Sequence, residues 1–248
     1  MLSLTVTRLT IRQFLRSRSI YVVLGILLLA SVPAIIVQAI PGESTLRELR
    51  DIFANVLYLD LIAATLLPLA TLVLATAALG DEIEDRTLQY LTLKPISRLR
   101  IVVEKLLAVF VVMVPIVWIG IAMTWAIASL GNVDGMRDLL WPALASSLVA
   151  IVGFGSLFML LSMVMQRALL VGIFYVFVWE TSLSRFLPGI RAISIRHFTQ
   201  SLFVRMVDDR RVDVPQLSAQ TTVIVTTIVI CVLCVALATW RLRSMSLE

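Results

Sequence analysis

The sequence has little charge and little histidine. Only 15% of its 248 residues are Asp, Glu, Lys or Arg, and 60% are hydrophobic, whereas about a quarter of the residues in a soluble domain are charged. His197 is the only histidine, which excludes a His-Glu-x-x-His zinc site, and we interpret it as a loop residue. The composition therefore predicts an integral membrane protein.

The sequence also lacks the motif Gly-x-x-x-x-Gly-Lys-Ser/Thr, in which a glycine-rich loop and a lysine hold the phosphates of a nucleotide. We therefore predict that the chain neither hydrolyses ATP by itself nor acts as an enzyme. Its two cysteines, Cys231 and Cys234, lie in an apolar run, where cysteine usually packs as a small hydrophobic residue. We predict no metal site and no cofactor bound to this chain.

Long apolar runs are what the sequence has instead. Five charge-free runs each reach the length of about 20 residues that a helix needs to cross a bilayer. A sixth, shorter run begins at Ala168, after the turn at Gln166-Arg167. The sequence thus predicts a single all-α transmembrane domain of six helices, at about residues 19–42, 57–80, 101–130, 139–165, 168–187 and 217–240.

Basic residues flank the predicted spans on one side of the membrane. Arg8, Arg12 and Arg16 recur every four residues, so they would line one face of a helix, and we predict an interfacial helix at residues 1–18. Loops rich in Lys and Arg stay in the cytoplasm, so we predict cytoplasmic termini and an extracytoplasmic connection at residues 188–216. The net charge of +5 then reflects contacts with membrane lipids and not nucleic-acid binding.

Two acidic residues lie near or within predicted spans. Asp60 stands at the start of the second span and Glu180 within the fifth. A carboxylate inside a membrane is costly and often functional, which makes both residues candidates for a translocation path. Each also has an aromatic neighbour, Tyr58 or Trp179, as residues at the outer interface commonly do. Both interpretations stay open at this point.

The connection between the second and third spans, residues 81–98, is unusually acidic. Four acids fall within the five residues after Gly80. Asp81 is expected to cap a new helix, because acidic side chains favour a helix N-terminus, and Ser97 to cap the helix of the third span. Anionic headgroups would repel this segment, whereas basic groups of a soluble partner would attract it. We therefore favour a docking surface over a headgroup-lying connector.

The stretch GDEIEDRTLQYLTLKPISRLRIVVEKLLA, residues 80–108, resembles the cytoplasmic signature of type 2 ABC exporter permeases. That signature has a run of acids, a Thr-Leu pair, a leucine-rich turn, a Pro-Ile-Ser-Arg and a Lys-Leu that begins the third span. The corresponding residues are Glu82, Glu84 and Asp85, then Thr87-Leu88, then Leu91 and Leu93, then Pro95-Ile96-Ser97-Arg98, and finally Lys105-Leu106.

The resemblance implies a coupling helix that sits in a cleft of a separate ATPase subunit. It also implies an assembly of two permeases, identical or homologous, with two ATPases that hold ATP and magnesium. The resemblance also implies that the direction of transport is export and that short re-entrant helices lie within residues 188–216. The membrane it implies is the plasma membrane of a bacterium or archaeon. The residues assigned to docking and coupling are Asp81, Glu82, Ile83, Glu84, Asp85, Arg86, Thr87, Leu88, Tyr90, Leu91, Pro95 and Arg98.

Three other functions are alternatives to the exporter permease. A stand-alone secondary carrier or channel would use Asp60 and Glu180, because such proteins need polar groups at membrane depth. An intramembrane enzyme is disfavoured by the missing motifs. A membrane anchor that scaffolds a complex without transport is the third alternative.

Overall fold

The computed structural model describes residues 5–39, 45–84, 97–183, 194–207 and 217–244. Within these residues 91% are helical and none is in a strand, which confirms the predicted all-α class. The α-helices are α1 (Thr5–Arg16), α2 (Arg18–Leu28), α3 (Ser31–Ala39), α4 (Leu46–Asp51), α5 (Leu67–Glu84), α6 (Arg98–Ala128), α7 (Arg137–Val164), α8 (Ala168–Phe174), α9 (Ile195–Val207) and α10 (Gln220–Ser244). Ile52–Leu66 and Tyr175–Leu183 are π-helical, and Asp134–Met136 forms a 3-10 turn.

Five helical stretches are long and apolar enough to cross a membrane. They are Arg18–Ala39, Leu46–Gly80, Arg98–Ala128, Asp134–Val164 and Gln220–Ser244. The stretch predicted as a further span, at residues 168–187, contains a shorter apolar helix, Ala168–Glu180. The chain is thus a multi-pass helical membrane protein, and the count of six spans stays a prediction.

The second stretch, Leu46–Gly80, is the centre of the bundle. Of its 18 most apolar consecutive residues 78% are buried, whereas the corresponding share in α10 is 22%. The stretch is continuous from α4 through the π-helical segment into α5, so it begins well before the predicted position 57. Its start is fixed by a capping box, in which Thr45 Oγ1 accepts from Glu48 N and Glu48 Oε2 accepts from Thr45 N, so that two N–H groups of the first turn are satisfied.

Side-chain contacts tie neighbouring helices at both ends of the bundle. We call the end that holds α1 and the last turn of α10 the proximal end, and the opposite end the distal end. The distal contacts are Gln38 Nε2 to Ala128 O (2.9 Å), Arg50 Nη1 and Nη2 to Asp138 Oδ1 and Oδ2 (2.7 and 2.6 Å), and Trp125 Nε1 to Met136 O (2.8 Å). They join α3 to α6, α4 to α7, and α6 to the 3-10 turn.

The N-terminal helix α1 lies against α6 at the proximal end. Val6 N and Thr7 N both donate to Glu104 Oε2, at 2.9 and 3.3 Å, so a carboxylate from α6 satisfies N–H groups that an isolated helix leaves unpaired. Phe14 is buried, whereas the arginines at positions 8, 12 and 16 are exposed. The arginines share the solvent side of α1, as their spacing predicted, and the interfacial position of residues 1–18 stays a prediction.

The prediction that Asp81 caps a new helix is wrong. Helix α5 begins at Leu67 and continues through Glu84, so Asp81 lies within the helix that ends the second span. Gly80 alone does not stop a helix, and Glu82 and Glu84 are good helix formers. The expectation for Ser97 fits better, because Ser97 is the N-cap residue of α6 with extended backbone, although its side chain makes no capping hydrogen bond.

The short helix α8 packs closely on α5 through a glycine. A Cβ built on Gly172 would lie 2.2 Å from Cδ1 and 2.9 Å from Cδ2 of Leu72, and Leu72 is itself fully buried. Small residues at such crossings let two helix backbones approach each other. Gly25 in α2 differs, because a Cβ there would have no neighbour within 4 Å.

We expect Gly172→Leu to lower the thermal unfolding midpoint of the protein in detergent, because overpacking a filled contact costs about 1–3 kcal/mol. Gly25→Leu is the matched control and should leave the midpoint nearly unchanged. Equal midpoints for the two variants, measured by a thiol-independent dye or by light scattering, would contradict the packing of α8 against α5.

Candidate functional site

The structure describes only some of the predicted docking residues. Residues 85–96, which include Asp85, Arg86, Thr87, Leu88, Tyr90, Leu91 and Pro95, lie outside the described residues. Asp81, Glu82, Ile83 and Glu84 form the last turn of α5, and Arg98 is the first residue of α6. Their assignment to docking stays a prediction, but the structure describes the helices that enter and leave this segment.

A buried lysine ties those two helices together. Lys105 on α6 is fully buried, and its Nζ donates to Ala78 O on α5 at 2.6 Å. A buried ammonium without partners would be very costly, and here it bonds to a carbonyl two turns before the end of α5. The contact therefore joins the second and third spans close to the end of α5 at Glu84 and the start of α6 at Arg98.

Two arginines extend this contact region. Arg98 Nη1 donates to Leu242 O in the last turn of α10, where a cation also complements the helix dipole. Arg100 Nε donates to Glu104 Oε1 at 2.6 Å, and Glu104 Oε2 holds the start of α1. We call Ala78, Arg98, Glu104, Lys105 and Leu242 the proximal junction.

The proximal junction connects four parts of the chain at one end of the bundle. Through it α1, α5, α6 and α10 share hydrogen bonds, and α5 and α6 are the helices that precede and follow residues 85–96 in the chain. A force applied to those residues would act on helices that are already tied to one another. The arrangement fits a mechanical connection between these helices.

Glu180 forms the centre of a second polar cluster, which lies beside the middle of α7 because Ile195 packs against Gly153. Its side chain is fully buried. Oε1 accepts hydrogen bonds from Tyr175 Oη at 2.9 Å and Ile195 N at 3.2 Å, and Oε2 accepts from Ser194 Oγ at 2.5 Å and Arg196 N at 3.3 Å. We call these five residues the Glu180 site.

The Glu180 site holds the start of α9. Ser194 Oγ accepts from His197 N at 3.1 Å, as an N-cap residue does, while the Glu180 carboxylate accepts from the first two N–H groups of the helix. A negative group at a helix N-terminus is favourable because the helix dipole is positive there. Glu180 thus fixes α9 to the helix that begins at Ala168, although 14 residues separate Glu180 from Ser194.

Asp60 lies at the edge of the Glu180 site and differs from Glu180 in exposure. Its side chain is 61% exposed, and its Oδ1 lies 3.6 Å from Nη2 of the nearly buried Arg196. The structure thus brings the two predicted carboxylates to the same helix, α9, since Arg196 contacts one through its side chain and the other through its backbone. A role for Asp60 and Glu180 in a translocation path stays a prediction.

The prediction of His197 as a loop residue is wrong. It lies in α9 and is buried, with Nε2 within 3.4 Å of Ser201 Oγ and 3.3 Å of Ser218 Oγ. Helix α9 packs on the central stretch, where the Phe203 ring lies 4.4 Å from the Tyr58 ring and Gln200 Nε2 donates to Leu59 O at 3.1 Å. A serine followed by apolar residues at helical spacing was the available signal for this helix.

The fold and these two clusters define a helical membrane protein whose buried charged groups join helices to one another. Among the residues that the structure describes, no cluster of possible metal ligands occurs. The sequence model of the ABC-2 family of transporter proteins matches residues 4–247. The chain therefore belongs to the ABC-2 transporter family and is a membrane permease of the ABC type. No curated protein matches the sequence.

We expect Glu180→Gln to destabilise the packing of α9 more than Asp60→Asn does. The glutamine amide nitrogen would replace one carboxylate oxygen and face one N–H donor of α9, and a buried unsatisfied polar group costs about 1–3 kcal/mol. That cost corresponds to roughly 2–12 °C in the midpoint of a protein of this size. Asp60 is largely exposed, so its neutralisation should shift the midpoint by less.

The measurement is the thermal midpoint of each variant in detergent, with modification of Ser201→Cys in α9 as a local readout. Faster thiol modification in the Glu180→Gln background than in the Asp60→Asn background would support the capping role. Identical modification rates and midpoints in the two backgrounds would refute it.

Proposed function

We propose that the chain is the permease subunit of an ATP-driven exporter, and that a separate ATPase subunit docks on residues 81–98. Membership of the ABC-2 transporter family over residues 4–247 is the observation that carries the proposal. The family implies an ABC ATPase as partner. ATP and magnesium would then be bound by that partner, and this chain would supply the membrane path.

The charge pattern of residues 81–98 supports docking at this segment. Four acids within residues 81–85 offer a negative surface to basic groups of a soluble protein, and such complementarity guides association and suppresses wrong partners. The same acids would be repelled by an anionic membrane surface. With this segment at the ATPase, the proximal end and both termini are cytoplasmic.

The proximal junction supports a mechanical role for the same end. A nucleotide can shift a conformational equilibrium only through contacts that differ between the two states. The ATPase would make those contacts with residues 81–98, and the bond between Lys105 Nζ and Ala78 O would make α5 and α6 respond together. Because Leu46–Gly80 is the most buried stretch of the bundle, its displacement would rearrange the helices around it.

A transporter of this kind would contain two permeases around one path. The first stretch, Arg18–Ala39, has only 33% of its apolar window buried, and its exposed side chains include Leu24, Leu28, Val32 and Ile35. Such faces fit either lipid or a second permease, identical or homologous. We propose the plasma membrane of a bacterium or archaeon as the location, and export as the direction.

The carrier alternative draws less support from the described residues. A carrier site needs carboxylates that exchange partners with an ion or substrate. Glu180 instead accepts four hydrogen bonds from its own chain, and Asp60 faces Arg196. This arrangement favours a structural role for both groups.

We expect the triple variant Glu82→Lys, Glu84→Lys, Asp85→Lys to lose the co-purifying ATPase. Each reversal replaces an attraction by a repulsion at the docking surface, and a loss of 1.4 kcal/mol already weakens binding about tenfold. The measurement is quantitative mass spectrometry of proteins recovered with the tagged permease from its own host in mild detergent.

The matched control reverses two exposed acids at the distal end, Asp51→Lys with Asp134→Lys, and should retain the ATPase. A P-loop ATPase recovered at wild-type level with the triple variant would contradict docking on residues 81–98. An ATPase absent even from the wild-type preparation would contradict the proposed function itself.

A further inference from the structure

An apolar groove runs along the surface of the bundle between α6 and α10, in the proximal half. It has a volume of about 440 Å³ and is lined only by apolar residues and one cysteine: Leu99, Val103, Leu106, Leu107, Phe110, Cys231, Val232, Val235 and Ala236. Leu106 is buried and forms part of the floor, whereas Val103 and Val232 are exposed at the rim. The groove therefore opens sideways, toward the surroundings of the bundle.

The lining of the groove on α6 is about as long as one leaflet of a bilayer. From Leu99 to Phe110 a helix rises about 17 Å at 1.5 Å per residue, and half of a hydrocarbon core is about 15 Å. On α10 the lining residues run from Cys231 to Ala236, and the contact between Arg98 and Leu242 lies beyond the proximal end of the lining. The groove thus follows two membrane-spanning helices, as a lipid acyl chain does.

Cationic and aromatic residues mark the proximal opening of the groove. Arg98 is half-buried there, and its bond to Leu242 O uses one of the five N–H donors of a guanidinium group. Arg243 is exposed and lies seven residues after the lining residue Ala236, which places both on one helix face. Trp240, 67% exposed, is of the type that lies at headgroup level.

We propose that this groove binds one acyl chain of an anionic phospholipid, with Arg98 and Arg243 contacting its phosphate. The apolar lining accepts the chain, and arginine is the side chain best suited to a phosphate because it donates in a fork. None of the residues that line the groove belongs to the Glu180 site. The proposal requires only that the chain spans a membrane, so its failure would leave the proposed function untouched.

The bound lipid would have a structural consequence. The floor of the groove belongs to a small apolar cluster, separate from the main core, that includes Val102, Leu106, Met159, Ala238 and Leu242. An acyl chain in the groove would cover this cluster and fill the gap between α6 and α10. Its phosphate would add a second bridge where Arg98 already joins the two helices.

The test uses phosphatidylglycerol with a photoreactive diazirine on its acyl chain, added to the purified protein together with any subunits that co-purify. We expect illumination to label peptides that contain residues 99–110 and 231–236. The labelling by phosphatidylglycerol should be at least fivefold higher than the labelling by a diazirine phosphatidylcholine with the same acyl chains. Equal labelling by the two lipids, or labelling confined to other helices, would overturn the proposal.

Two sets of variants separate the chain-binding part from the headgroup part. Val232→Trp fills the groove and should reduce labelling of these peptides at least fivefold, whereas Ile119→Trp, on the exposed side of the distal half of α6, should leave it unchanged. Arg98→Gln with Arg243→Gln should bring phosphatidylglycerol labelling down to the level of phosphatidylcholine.

Unchanged labelling in Val232→Trp would overturn the site, and an unchanged lipid preference in the double arginine variant would overturn the phosphate contact. The alternative to a lipid in the groove is a second copy of this chain. A photoreactive amino acid at position 107 that crosslinks to a second copy, and not to lipid, would assign the groove to a subunit contact and overturn the proposal.

Discussion

The close packing of the central stretch, Leu46–Gly80, is the constraint on which the other features depend. Between helices in lipid there is little hydrophobic driving force, so association rests on close contact and on internal hydrogen bonds. The buried residues of this stretch include the small side chains Ala63, Ala64, Ala70, Ala75 and Ala78. Helices α2, α6, α7 and α8 all contact α5, and they can do so because these positions are small.

Two clusters of buried charged and polar groups then join the helices around that packed centre through hydrogen bonds. At the proximal end Lys105 and Glu104 are buried within a network of hydrogen bonds that ties helices to one another. In the second cluster Glu180 fixes α9 by its backbone N–H groups. A buried charge is tolerated only with such partners.

The lengths of the apolar runs are sufficient to predict an all-α membrane protein and the approximate positions of five membrane-spanning helices. This is because about 20 consecutive residues decide whether a helix can span a bilayer. The errors concern helix boundaries, which the type of a single residue does not decide. Asp81 looks like a helix start in isolation, but α5 extends through it because nothing nearby stops the helix. His197 looks like a loop residue, but Glu180 and Ser194 begin a helix around it. Glu180 itself is predictable as a candidate because a carboxylate inside a membrane is costly. Its partners Tyr175, Ser194 and Arg196 can be identified only from the folded structure.

We propose that α5 and α6 respond as one unit to an ATPase bound at residues 81–98. The most direct test is the structure of the purified complex by electron cryomicroscopy, without nucleotide and with ATP bound. We predict that the ATPase contacts residues 81–98 in both states, and that the 2.6 Å bond between Lys105 Nζ and Ala78 O is kept while α5 and α6 shift together relative to α7. An ATPase docked elsewhere, or α5 and α6 that separate at this bond when ATP binds, would contradict the account.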